Sequence, residues 1–96
     1  MNVIWASTAL ADREAIYDYI DAENPRAAAA LDVAFVRAAE RLGIHPEAGR
    51  KGQIAGTREW VVHPHYVLVY ESGADVVVIL AVVHTARQWP ADRDGC

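Results

Sequence analysis

The sequence predicts an α+β domain in the order β-α-α-β-β-β, an antiparallel sheet with a helical hairpin packed on one face, and three observations carry that prediction. Residues Val76 to Val83 are continuously apolar and mostly β-branched, which reads as a strand buried on both faces, since a face meeting water would impose alternation. Ala28, Leu31, Phe35, Ala38 and Leu42 step by three and four residues, the spacing that lays side chains along one stripe of a helix. Two further β-rich segments stand before the final strand, separated by His63-Pro64-His65 and Ser72-Gly73-Ala74-Asp75, and strands joined by such tight turns form an antiparallel meander.

Taken in order, Asn2 to Ala6 is short and apolar and reads as a strand, with Ser7 or Thr8 as the cap of the first helix. Leu10, Ile16, Tyr17 and Ile20 then recur at helical spacing as far as Asp21. Asn24-Pro25 supplies a cap and a proline at the first helical position, where its missing N–H costs nothing. The second helix that begins there is expected to stop at Gly43. Residues 43–57 hold Gly43, Gly49, Gly52 and Gly56 and read as a flexible connector, with Arg50 and Lys51 as contact residues. They have no Walker-type spacing for a nucleotide. Thr57 to Val62 and Tyr66 to Glu71 are the meander strands, and residues 1–90 form one domain followed by a flexible tail, 91–96.

Composition excludes several classes. The chain has 96 residues, 53% hydrophobic and 23% charged, which argues against disorder. No apolar run approaches the roughly 18 to 20 residues that span a bilayer, and the N-terminus lacks a basic region ahead of an apolar one, so a cytoplasmic protein with no membrane partner is expected. The lone cysteine, Cys96, suits a reducing compartment. A net charge of −4 opposes broad attraction to nucleic acid. The acids concentrate in the helical half, at Asp12, Glu14, Asp18, Asp21, Glu23, Asp32 and Glu40, whereas all the histidines lie beyond it. His63 and His65 flank Pro64, but with no third ligand at a recognisable spacing neither a metal site nor a cofactor is expected.

Four features together resemble the RelE/ParE superfamily of toxins from type II toxin-antitoxin modules, over about residues 3 to 90. They are Tyr19 to Pro25 followed by an alanine-rich helix; His45-Pro46 with Gly49-Arg50; Gly56-Thr57-Arg58-Glu59 entering a strand; and Tyr66-Val67-Leu68-Val69-Tyr70 before a last strand that closes in His84 to Pro90. The resemblance implies a growth-inhibitory protein held silent by a cognate antitoxin, with operator DNA bound only through that antitoxin. It leaves two modes open. RelE-like members cleave mRNA in the ribosomal A site, and ParE-like members, closer in their helical hairpin and in the plasmid-stabilisation relatives, poison DNA gyrase without being enzymes.

Cleavage through an RNA 2′-hydroxyl needs a base, an acid and cations for the phosphorane charge. His84 would be the acid or base, Arg58 and Arg87 the clamps, and Tyr70 or Glu59 a second proton handler. The structural alternatives are that His84 caps its strand, Arg58 pairs with Glu59 or with a carboxylate of the antitoxin, and Tyr70 is core. Trp60 and Trp89 read better as core or antitoxin contacts than as base-stacking platforms. Val67 stands where RelE-like toxins often carry arginine, and the preceding strand offers only Arg58. With the acidic net charge, these departures favour the gyrase mode slightly. A non-toxic antitoxin-binding module is the reading from a third class.

Overall fold

The computed structural model describes residues 1–86. They form β1 (Asn2–Trp5), α1 (Ser7–Asp21), α2 (Pro25–Ile44), β2 (Arg50–Lys51), β3 (Arg58–His63), β4 (Tyr66–Ser72) and β5 (Val76–His84). One sheet runs β1-β5-β4-β3-β2. The α+β class and the helical hairpin are as the sequence predicts, with two refinements. β1 pairs parallel to β5, Asn2 opposite Val76 through Trp5 opposite Ile79, whereas the other pairs are antiparallel. The crossover through α1 and α2 is long enough to return the chain in the same direction, which a tight turn cannot do. Residues 43–57 are also no loose connector: Arg50 and Lys51 pair with Glu59 and Arg58 and add an edge strand.

The central strand is β4, where Val67, Leu68, Val69 and Tyr70 are all buried in succession. β5 lies one place toward the edge, and its burial largely alternates: Val77, Ile79 and Val82 point into the helix-covered core, and Val76, Val78 and Leu80 are only half-buried. From α2 the predicted stripe of Ala28, Leu31, Phe35, Ala38 and Leu42 enters that core complete. The α2 N-terminus is also as predicted, with the Asn24 side chain accepting from the Ala27 N–H at 3.1 Å and Pro25 at the first turn.

Other local signals are overruled by packing. Gly43 does not end α2. It is buried within it, because a Cβ there would stand 2.8 Å from Val3 Cγ2 and 3.0 Å from the Met1 carbonyl. Helix and β1 approach too closely for a side chain. On α1, Leu10 and Tyr17 face outward, while Ala9 is fully buried and Ile16 and Ile20 pack on the core. The small Ala9 lets the helix lie close to the sheet. Arg13 fastens α1 to α2 with two bonds to Asp32, at 3.0 and 2.9 Å, and lies 4.5 Å over the Trp5 ring.

Neither Ser7 nor Thr8 caps α1; the N-cap position is Ala6, without a side-chain bond. Thr8 is used instead on β5. Beyond Ile79, β5 has outrun β1, and its edge turns to α1: the Thr8 hydroxyl donates to the Leu80 carbonyl at 2.8 Å, and the Asp12 carboxylate accepts from the Val82 N–H at 2.9 Å. Residues 8 and 12 are one helical turn apart, so a helix face completes the edge of a strand.

Replacing Asp12 by alanine is expected to leave the Val82 N–H without a partner and to cost about 1–3 kcal/mol in urea unfolding, with faster hydrogen exchange at Val82. Asp12→Asn, which keeps an acceptor oxygen, is expected to lose much less. Gly43→Ala is expected to destabilise despite alanine's better helix propensity, because overpacking costs about 1–3 kcal/mol against a gain of about 1.

Candidate functional site

The two ends of the β3–β4–β5 meander carry different chemistry. At one end, strand register sets His84 opposite Tyr66 and Tyr66 opposite His63. The His84 ring stacks on His65 at 5.6 Å between centroids and meets Tyr66 edge-on at 5.3 Å, while Tyr66 meets Phe35 edge-on at 5.9 Å. His63 Nδ1 accepts from the His65 N–H, and His84 Nδ1 accepts from the Ala86 N–H, both at 3.1 Å. An accepting Nδ1 carries no proton, so in these bonds both rings hold their proton at Nε2. Thr85 ties the two turns together, its N–H donating to the His65 carbonyl at 2.8 Å and its hydroxyl to the Pro64 carbonyl at 3.1 Å. His84 therefore caps the turn after its strand and also faces outward. Among the described residues, no group of three His, Cys, Asp or Glu side chains is arranged to hold a metal ion.

At the other end, Tyr70 is fully buried. Its hydroxyl donates to the Pro46 carbonyl at 2.8 Å and accepts from the Gly49 N–H at 2.9 Å. Glycine at 49 is required for this approach, since a Cβ would stand 2.6 Å from the hydroxyl oxygen. Burial pushes the Tyr70 phenol above the usual tyrosine value, opposed by the Gly49 hydrogen bond and the Arg58 charge. Arg58, opposite Tyr70, also holds the loop, donating to the Gly49 carbonyl at 2.8 Å and reaching the Glu47 carbonyl at 3.4 Å. Glu59 faces the other way and pairs with Arg50 at 3.0 Å.

The sequence-derived set is thus not brought together. Arg58 and Tyr70 share one row of the sheet and His84 stands in the row of Tyr66, four residues along β4, or about 13 Å at roughly 3.3 Å per residue. The Tyr70 hydroxyl and the Arg58 Nη1 are both engaged with the loop between α2 and β3. Arg87 lies outside the described residues, as do Trp89 and the tail.

Open surfaces lie elsewhere. One groove, of about 480 Å³, runs between α2 and β3 with Val33, Trp60 and Val61 along it and Arg37 and Arg41 at its side. A second, of about 540 Å³, separates α1 from the end of β5, where Asp12, Ile16 and Tyr19 face Tyr66 and His84. A smaller hollow of about 140 Å³ lies on the sheet face away from the helices, between the Arg50–Glu59 pair and His84. Asp12, Tyr19 and Tyr66 escaped the sequence reading as site residues. The spacing of residues 12, 16 and 19 on one helix face was the available signal, but it does not disclose which strand the face meets.

The sequence and the fold both match known proteins. A family model described as the ParE toxin of a type II toxin-antitoxin system, parDE, matches residues 3–89. The chain is 41% identical over 86 residues to Toxin RelE2 of Caulobacter vibrioides, covering 90% of this chain and 97% of that protein. Among solved structures, the chromosomal ParDE toxin-antitoxin system from P. aeruginosa superposes with a TM-score of 0.77 at 23% identity, covering 88% of this chain and 95% of that one. A YoeB/ParE toxin from Agrobacterium tumefaciens gives 0.62 at 17% identity, covering 88% and 98%.

Tyr70→Phe is expected to release the loop, leaving the Gly49 N–H and Pro46 carbonyl unpaired at a cost of about 1–3 kcal/mol near neutral pH. A phenol raised in the fold adds stability that is complete below its unfolded value and is lost as pH rises through the folded one. Urea unfolding from pH 8 to 11 should therefore show the wild-type advantage over Tyr70→Phe shrinking above about pH 10.

Proposed function

The chain belongs to the ParE toxin family of type II toxin-antitoxin systems, and on that premise we propose that it is a cytoplasmic growth inhibitor, neutralised by its cognate antitoxin, that acts by binding DNA gyrase and not by cutting RNA. The observation that carries the choice of target is the commitment of Tyr70 and Arg58 to the fold. A proton handler must reach the reacting atom within hydrogen-bond distance, and the Tyr70 hydroxyl is buried with both a donor and an acceptor partner inside the chain. Arg58 uses one guanidinium nitrogen to hold the Gly49 carbonyl. His84 then stands without them, on a chain whose net charge of −4 disfavours a site dense in phosphate.

Capture by an antitoxin asks for open apolar surface, and the α2–β3 groove supplies it. Val33 and Val61 are each about half exposed along it, and Arg37 and Arg41 would receive acidic side chains at its rim. No helix among the described residues is long and apolar enough to cross a membrane.

Purified protein mixed with gyrase and supercoiled plasmid is expected to accumulate linear DNA after protein denaturation, and the antitoxin is expected to abolish this. His84→Ala should leave the effect within about twofold. Programmed ribosomes given the same protein are expected to keep their mRNA intact. Truncated mRNA that disappears with His84→Ala would overturn the proposal in favour of the ribosome-dependent endonuclease. Normal growth at verified expression would leave only an antitoxin-binding module.

A further inference from the structure

The groove between α1 and the end of β5 combines features that the gyrase reading does not use. Ile16 and Val82 provide apolar surface, and Tyr19, Tyr66 and His84 provide aromatic faces. Tyr19 is 79% exposed, a large aromatic surface left uncovered on a helix otherwise rich in charge. Among the described residues that line the groove, Asp12 is the one formally charged side chain. Its Oδ2 is fixed by the Val82 N–H at 2.9 Å, and Oδ1 receives no hydrogen bond from the described residues.

An oriented carboxylate beside open aromatic faces suits a cation with an apolar stem. We propose that this groove seats an arginine side chain of the antitoxin. The inference rests on the reading of the chain as an antitoxin-bound toxin. Guanidinium fits better than ammonium on physical grounds: it is planar, stacks on tyrosine and imidazole faces, presents a fork of donors to a carboxylate and is more weakly hydrated. Its methylene stem lies against Ile16 and Val82. Glu14 and Asp18 lie on the other flank of α1, beside Arg13 and Asp32, so the attraction at this groove comes from Asp12 itself. The α2–β3 groove has the opposite sign, with Arg37 and Arg41 on it. An antitoxin segment that reaches both grooves therefore needs carboxylates at one and a guanidinium at the other, which fixes its direction across the toxin.

The test uses the toxin with the protein of the adjacent reading frame, measured by calorimetric titration. Tyr19→Ala and Asp12→Asn in the toxin are each expected to weaken binding tenfold or more. Asparagine retains an acceptor for Val82, and Tyr19 is exposed, so thermal melts should confirm that both variants fold. Substituting the antitoxin's arginines by alanine one at a time should reveal one whose loss matches that of Asp12→Asn, and the two together should weaken binding by less than the product of their separate effects. Lysine at that position should not restore affinity. Folded variants that bind within twofold of wild type would overturn the inference and leave the toxin reading standing. Absence of any complex with the wild type would remove both. If toxin Arg87→Ala reproduces the loss seen with Asp12→Asn and adds nothing to it, the groove serves this chain's own guanidinium and the inference fails.

Discussion

The arrangement of the molecule depends on a mismatch of length. β5 extends from Val76 to His84, whereas its parallel neighbour β1 reaches only from Asn2 to Trp5. The backbone groups of β5 beyond that point would be an unpaired edge, and an unmatched polar group away from water is costly. Thr8 on α1 provides the missing donor to the Leu80 carbonyl, and Asp12 the missing acceptor for the Val82 N–H. This requirement sets how far along β5 the helix lies and which face it turns to the sheet. The same face then carries Ile16 and Tyr19 past His84, so the groove there follows from the way the edge is satisfied.

A second constraint holds the opposite end of the sheet. The loop from Pro46 to Gly49 is bound to Tyr70 from below and to Arg58 from the side. These are polar residues used as fasteners within the fold, because a buried hydroxyl and a half-buried guanidinium are stable only when bonded. Their commitment has a functional consequence. A surface that engages its target through shape and apolar contact needs rigid elements and open grooves, and the meander, the loop and the helical hairpin provide them. A proton-transfer site needs uncommitted acids and bases at one place, and here the candidate groups are divided between two rows of the sheet.

The distribution of charge fits the same division. Acidic side chains gather on α1 and its C-terminal turn, while Arg37 and Arg41 lie on the outer side of α2. A partner laid across both helices meets fields of opposite sign. Such complementarity does more for orientation and encounter rate than for affinity, and the apolar surface at Val33, Trp60 and Val61 supplies the burial that affinity requires.

Much of this was readable from local pattern. The α2 stripe from Ala28 to Leu42, the Asn24-Pro25 start and the turns at Pro64 and Gly73 follow from helical period, capping and turn chemistry, which act between residues a few positions apart. The order of elements came from the same signals, whereas the family resemblance rested on particular motifs such as His45-Pro46 and Gly56-Thr57-Arg58-Glu59. Long-range geometry decided the rest. Gly43 looks like a helix stop until Val3 is placed against it. Thr8 looks like a cap until β5 passes beside it. Tyr70, Arg58 and His84 look like one catalytic set until register assigns them to different rows. The sequence alone determined the α+β elements, their order and the apolar stripe of α2, because those depend on neighbours along the chain. Only the tertiary structure decided which polar groups remain open to a partner, because a hydroxyl, carboxylate or guanidinium is committed or available according to what the folded backbone brings within about 3 Å of it.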